Sequence, residues 1–127
     1  MSVDIKNFTR GNVPHSDLPL CAIKDKVLGK NYELSLAFVG DTRSRKLNKI
    51  YRGKDKPTNI LSFELSKTSG EIVINPRLAK KEATKFNRSY KNFLCFLFIH
   101  GVHHLKGMQH SSTMDKAEEK IRKIFNI

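Results

Sequence analysis

Three histidines near the C-terminus, His100, His104 and His110, have the side chains and the spacing of a metal site. If the segment is helical, His100 and His104 lie one turn apart on the same face, because side chains at i and i+4 are neighbours. Gly107 can adopt the left-handed conformation that ends a helix, so the chain can turn back and bring His110 to the same place. Three neutral imidazoles on one cation leave a tetrahedral position open, as in catalytic zinc sites.

The alternative is that these histidines are ordinary polar residues of the surface or core. Four of the five histidines in the chain fall within eleven residues, at ligand spacing and around a glycine, which favours the metal site. We therefore predict one zinc ion per chain, although imidazole also suits nickel, copper and cobalt. His103 lies about 100° around the helix from His104 and is predicted to pack or to contact a substrate rather than to bind the metal.

The histidine spacing matches that of the zinc proteases with the motif H-E-x-x-H-x-x-G-x-x-H. Position 101 is glycine, where a protease has the glutamate that serves as general base. A metalloprotease-like hydrolase is therefore disfavoured. Cleavage of a phosphodiester needs charge stabilisation on the phosphorus oxygens, and an arginine can supply it.

The chain is strongly basic, with 24 Lys and Arg against 12 Asp and Glu and a net charge of +12. Such a field favours polyanions such as nucleic acid, although a basic soluble surface would give the same balance. Arg52 is the best candidate for a catalytic arginine beside His104, and the alternative is a solvated surface charge. Arg52 lies in a basic segment that runs from Arg43 to Lys56. The predicted RNA-binding residues come from this segment and are Arg43, Arg45, Lys49, Lys54 and Lys56.

The pattern of apolar residues predicts a single domain over residues 1–127, with the order β-α-β-α-β-β-α-α-α. The fold class is α+β, or mixed α/β, with a small mixed four-stranded sheet packed against about five helices. The predicted strands are Ser2–Phe8, Tyr32–Val39, Ile60–Leu65 and Glu71–Ile74. The last two are joined by Ser66–Gly70 as an antiparallel hairpin, with Gly70 near the turn. The predicted helices are Ser16–Gly29, Thr42–Tyr51 after an Asp41 N-cap, one from Asn75-Pro76, Tyr90–Lys106, and one opened by Ser112.

The longest apolar run, Phe93–Ile99, is much shorter than the roughly 20 residues that span a bilayer. The N-terminal residues contain no apolar signal segment, and Cys21 and Cys95 are far apart in the chain. We therefore predict a cytoplasmic protein without membrane contact, with both cysteines as small buried apolar residues.

Three segments together resemble the YbeY family of bacterial rRNA maturation factors. The segment from His100 to His110 is similar to the signature H-G-x-L-H-L-x-G-Y-D-H. The segment Arg52–Phe63 is similar to the family's second signature, and Gly70–Ile74 to its G-D-I-x-I strand. The similarity covers about residues 40–125. In this chain His103, Met108 and Gln109 replace the family's Leu, Tyr and Asp, and the Asp could have given a negative charge beside the metal ligands.

The resemblance implies a metal-dependent single-strand endoribonuclease that acts in 16S rRNA 3′-end maturation and ribosome quality control. It implies zinc on His100, His104 and His110, a functional Arg52, and the small ribosomal subunit and its proteins as partners. We expect a monomer. The nucleophile is either a metal-activated water or the 2′-hydroxyl of the RNA. The remaining alternative is a non-catalytic RNA-binding ribosome-assembly factor with a structural metal.

Overall fold

The computed structural model describes residues 3–127, which form one mixed sheet with five α-helices. The strands are β1 (Val3–Asn7), β2 (Glu33–Phe38), β3 (Ile60–Ser66) and β4 (Ser69–Ile74). The helices are α1 (Leu20–Leu28), α2 (Asp41–Arg52), α3 (Pro76–Ala83), α4 (Tyr90–Leu105) and α5 (Ser112–Phe125), and a 3-10 turn over Thr84–Phe86 joins α3 to α4. The predicted order and fold class are confirmed.

The sheet has the order β1-β2-β4-β3. Strands β1, β2 and β4 are parallel, and β3 pairs with β4 as an antiparallel hairpin. The first strand is at an edge of the sheet, and Ser2 at its predicted start lies outside the described residues.

Helix α4 lies in the main core, between the sheet and the neighbouring helices α1, α3 and α5. Phe93, Leu94, Phe98 and Ile99 are all at most 1% exposed, which agrees with a helix that is apolar on nearly all sides. A smaller cluster on the other face of the sheet packs Leu61 and Val73 against Leu47 of α2. Helix α4 is therefore fixed on several sides, and its C-terminal turn is a rigid base for side chains.

Hydrogen bonds close to each end of α4 determine where the helix begins and ends. The Ser89 hydroxyl accepts a hydrogen bond from the Asn92 amide and caps the N-terminus. At the other end Gly107 has a φ of +99°, and the Gly107 and Met108 amides donate to the carbonyls of His104 and His103. This is the left-handed glycine termination that the sequence predicted.

Three local predictions are wrong by one or a few residues. Asp41 is the first residue of α2 and does not cap it, since its carboxylate instead accepts hydrogen bonds from Asn75 Nδ2 at 2.8 Å and Arg77 Nε at 2.7 Å. The hairpin turn is shorter than the predicted Ser66–Gly70, because β3 extends to Ser66 and β4 begins at Ser69, and Gly70 lies in β4 near the turn. Ser111, one residue before the predicted Ser112, caps α5 by accepting from the Met114 amide.

Helix α1 begins later than predicted, at Leu20 after Pro19, and Asp17 before it pairs with Lys91. Both cysteines are free, with Cys95 buried and Cys21 partly exposed. Among the helices of residues 3–127, none has the length and apolar character needed to cross a membrane.

Candidate metal centre

The last two turns of α4 present His100 and His104 on the same side of the helix. Their Nε2 atoms are 3.0 Å apart, and their ring centroids are 4.5 Å apart. After the Gly107 turn the chain returns, and the ring of His110 lies 5.0 Å from that of His100 and 4.7 Å from that of His104. One ring nitrogen from each of the three histidines lies within 4.8 Å of the other two. The turn therefore closes the triad in the way that the sequence predicted.

The Nδ1 atoms of His100 and His104 are held by acceptors from two different segments. His100 Nδ1 lies 3.0 Å from the Glu118 carboxylate on α5, and His104 Nδ1 lies 3.1 Å from the Met108 carbonyl oxygen. A carboxylate and a carbonyl can only accept, so each Nδ1 carries the proton. In the neutral rings the lone pair is then on Nε2, the tautomer found in metal-binding histidines whose second nitrogen donates a hydrogen bond.

Two Nε2 lone pairs that face each other at 3.0 Å repel unless a positive charge lies near both. A proton on one ring would relieve the repulsion for that pair, and a divalent cation would relieve it for all three histidines. The donor set consists of three imidazole nitrogens, which suits zinc and related transition metals. The residues present therefore fit a metal ion bound by His100, His104 and His110.

The electrostatics of the site favour neutral imidazole at His104. Burial lowers the pKa of His104, and the neighbouring His100 lowers it further. Burial pushes the pKa of the Glu118 carboxyl upward, but the hydrogen bond from His100 and the charges nearby outweigh it, so that pKa lies below its ordinary value. Glu118 is 4% exposed and stays ionised beside His100. An anionic carboxylate behind a ligand histidine raises the basicity of that ligand.

Two grooves meet at the triad. The first has a volume of about 610 Å³ and is lined by His104, His110, Arg52, Lys54, Ser62 and Gln109, among others. The second has a volume of about 480 Å³ and is lined by His100, His110, Arg52 and residues of α5. Arg52 and His110 line both grooves. An extended chain that ran from one groove to the other would therefore pass over the histidines.

Arg52 is the last residue of α2, and its side chain is exposed. Gly53 ends the helix in the left-handed conformation, with a φ of +69°, and the chain then turns toward β3. Within residues 3–127 the Arg52 guanidinium forms no salt bridge, although Glu64 lines the same groove. The structure thus places the predicted catalytic arginine beside the triad with its charge available to an anion.

The structure places the five predicted RNA-binding residues at different distances from the site. Lys54 lines the first groove. Arg45 is paired with Asp55 at 2.8 Å, and Arg43 lies over the Phe8 ring at 4.8 Å, about 14 Å along the α2 axis from Arg52. Lys49 and Lys56 are exposed. A role in RNA binding stays a prediction for all five.

Glu118 and Glu119 are adjacent in sequence but differ in role. Glu118 contacts His100, whereas Glu119 is exposed and pairs with Lys123 at 3.2 Å. His103 is 3% exposed and bonds through Nδ1 to the Ile99 carbonyl at 2.7 Å, so its ring packs in the core as predicted. Gln109 lines the first groove, and within the described chain its side chain makes no hydrogen bond to the triad.

Gly101 lies where α4 packs closely on the sheet. A Cβ atom there would lie 2.9 Å from Ile72 Cδ1, 3.1 Å from Ile60 Cδ1 and 3.1 Å from Ser62 Oγ. A glutamate at this position would point into the packed interface between helix and sheet and would bury an unpaired charge. The protease general base therefore has no place in this structure, for a packing reason that the sequence motif alone did not reveal.

We expect Glu118→Gln to weaken zinc binding about 10- to 100-fold, because a neutral amide orients the His100 ring less firmly and withdraws the negative charge behind it. Glu119→Gln, one residue along the same helix and exposed, should bind zinc as the wild type does. Competition with a chromogenic chelator measures both affinities. Equal affinities for the two variants would show that Glu118 does not support the site.

Comparisons with known proteins show which family of sequences the chain is similar to. Residues 17–126 match the family model described as Endoribonuclease YbeY. The chain is 32% identical to endoribonuclease YbeY of Halalkalibacterium halodurans, over 80% of this chain and 70% of that protein. It is 31% identical to the protein of the same name from Francisella philomiragia, over 93% of this chain and 84% of that one. A Thermotoga maritima protein solved in solution has a similar fold, with a TM-score of 0.65 and 25% identity over 98% of this chain and 89% of that one.

Proposed function

Because the chain belongs to the YbeY family of endoribonucleases, we propose that it uses a zinc ion on His100, His104 and His110 to cleave single-stranded ribosomal RNA. The observation that carries this proposal is the pair of Nε2 atoms, 3.0 Å apart, with both Nδ1 atoms bound to acceptors. Such an arrangement favours a cation at the place where the two grooves meet.

The protein supplies charge and position around the reacting phosphodiester. A divalent metal, when bound, contributes Lewis acidity at the phosphate and at the attacking oxygen. Arg52 lines both grooves and would donate hydrogen bonds to the phosphorus oxygens as negative charge develops on them. Lys54 would neutralise the neighbouring phosphate in the first groove. His100 and His104 are held for their role by Glu118 and the Met108 carbonyl.

The substrate class follows from shape and charge. The two open grooves suit an extended strand, which can bend over the triad more easily than a duplex can. With a net charge of +12, the surface suits a polyanion. Within that class we propose 16S rRNA near its 3′ end as the substrate, in maturation and quality control of the small ribosomal subunit. The protein would act as a monomer in the cytoplasm, with that subunit and its proteins as partners.

The experiment that tests the proposal measures cleavage of one labelled RNA, as a single strand and as a duplex. Each form is incubated with metal-depleted protein and with the same protein after zinc is restored. We expect zinc-dependent cleavage of the single strand. Products that end in a cyclic or 3′-phosphate would assign the 2′-hydroxyl as nucleophile, and 5′-phosphate ends would assign water. Tight RNA binding without cleavage under any metal condition would instead favour the non-catalytic assembly factor.

RNA binding should depend steeply on salt, because basic side chains displace counterions from the phosphates. If about four of these side chains contact phosphates, the affinity for a single strand should fall roughly 50-fold between about 50 and 200 mM salt. Fluorescence anisotropy on metal-depleted protein measures this without cleavage. An affinity that stays flat over this range would refute the proposed role of the basic residues.

A further inference from the structure

Three phenylalanines form a shelf beside the histidine triad. Phe86 closes the 3-10 turn before α4, and Phe93 and Phe96 lie on the first turns of α4. Their ring centroids are 5.2 Å apart for Phe86 and Phe93, 5.5 Å for Phe93 and Phe96, and 6.0 Å for Phe86 and Phe96. Phe93 is 1% exposed, whereas Phe86 is 53% exposed. We call these three rings the aromatic shelf.

The aromatic shelf and the triad line the same groove. The second groove is bounded by all three phenylalanines and also by His100, His110 and Arg52. Its volume of about 480 Å³ is within the range of pockets that hold small organic groups. A strand whose phosphate lies on the histidines would therefore place its next nucleotide over the aromatic shelf.

The charged groups around the aromatic shelf favour a base over a phosphate at this place. The Arg88 and Arg122 guanidinium groups lie 4.4 and 5.2 Å from the Phe96 ring centroid. Arg88 is bound to Asn92 and to the Ile127 carbonyl, and Arg122 lies 3.9 Å from Glu118. Asp115, Glu118 and Glu119 also line this groove. Glu118 is bound to His100 and Glu119 to Lys123, whereas Asp115 forms no salt bridge within residues 3–127. The Asp115 carboxylate would repel a phosphate but can accept a hydrogen bond from the amino group of a base.

Packing inside the protein does not explain why half of the Phe86 side chain is exposed. Contact with Phe93 would fasten the 3-10 turn to α4 while using one face of the ring. The remaining surface stays open to the groove, and every nucleobase has a flat face that stacks on an exposed aromatic ring.

We propose that Phe86, supported by Phe93 and Phe96, is the stacking platform for one base of the RNA, next to the phosphate that is cleaved. This subsite rests on the proposed function, because it takes the RNA strand and its position on the triad as given. It gives the second groove a base-binding role and leaves phosphate binding to Arg52 and the first groove.

The test measures binding of a labelled single-stranded RNA of about 12 nucleotides to metal-depleted protein by fluorescence anisotropy. Phe86→Leu keeps an apolar side chain against Phe93 but removes the aromatic face, and we expect it to weaken binding about tenfold. Phe86→Tyr should bind as the wild type does. Ile124→Ala is the matched control, because Ile124 is 50% exposed and lies outside both grooves. Thermal melting checks that each variant is folded.

A second set of probes carries one abasic nucleotide, moved along the strand. At one position of the strand, the abasic nucleotide should weaken binding to the wild type about tenfold. At that same position it should not weaken binding to Phe86→Leu. Phe86→Leu binding equal to wild type, or an unchanged abasic effect in that variant, would overturn the stacking platform. If the wild type cleaves the RNA in either case, the proposed function stands. A wild type that neither binds nor cleaves the RNA would overturn both.

Discussion

His110→Ala is expected to fold normally and to lose RNA cleavage by about 1,000-fold or more, because a metal contributes several kcal/mol to stabilising a phosphodiester transition state. His110 is exposed and lies between α4 and α5, so its ring is not part of the apolar core. Melting temperatures in metal-free buffer should therefore agree with the wild type within about 3 °C.

This variant separates a catalytic metal from a structural one. His15→Ala is the control, since His15 stacks on Phe38 far from the triad in sequence and should leave cleavage unchanged. If the metal only stabilised the fold, His110→Ala and the metal-depleted wild type would both lose compactness along with activity. A folded variant with full cleavage would instead remove His110 from the site.

Arg52→Ala is expected to lower the rate of cleavage about 100-fold with little change in stability. The guanidinium is exposed and lines both grooves. Its removal should therefore weaken the stabilisation of the negative charge that develops at phosphorus and leave the fold intact. Arg52→Lys should restore part of the rate, because a lysine keeps the charge but not the two-pronged geometry.

Single-turnover kinetics at saturating enzyme measure this effect separately from RNA affinity. Lys120→Ala removes one positive charge from α5, outside both grooves, and controls for the change in net charge. A loss in affinity with an unchanged cleavage rate would make Arg52 a binding residue. Equal rates and affinities for Arg52→Ala and the wild type would mean that the arginine is a solvated surface charge.

Local periodicity was enough to predict the triad. The i, i+4 spacing of His100 and His104 and the glycine at position 107 depend on the geometry of one helix and its end, which short-range rules describe well. The element order and fold class followed from the same patterns of apolar residues. A motif of this kind can be interpreted without knowing what packs around it.

The supporting residues could not be predicted in this way, because they depend on contacts between distant segments. Glu118 and Glu119 are neighbours in the sequence, and the angle at which α5 packs on α4 is what turns Glu118 toward His100. Asp41 has the residue type of a helix cap, yet Arg77 and Asn75, more than 30 residues later, bind its carboxylate. Phe93 and Phe96 were recognised as apolar, but their contact with Phe86 at the groove needed the three-dimensional structure.

The metal content and ribonuclease activity of the wild type and His104→Ala, measured in parallel, test the central claim most directly. Both proteins are purified identically, their zinc is counted by mass spectrometry, and cleavage of one single-stranded RNA is followed. We predict about one zinc ion per wild-type chain with zinc-dependent cleavage, and near-complete loss of both in a folded His104→Ala. Equal cleavage by the two proteins would contradict the account.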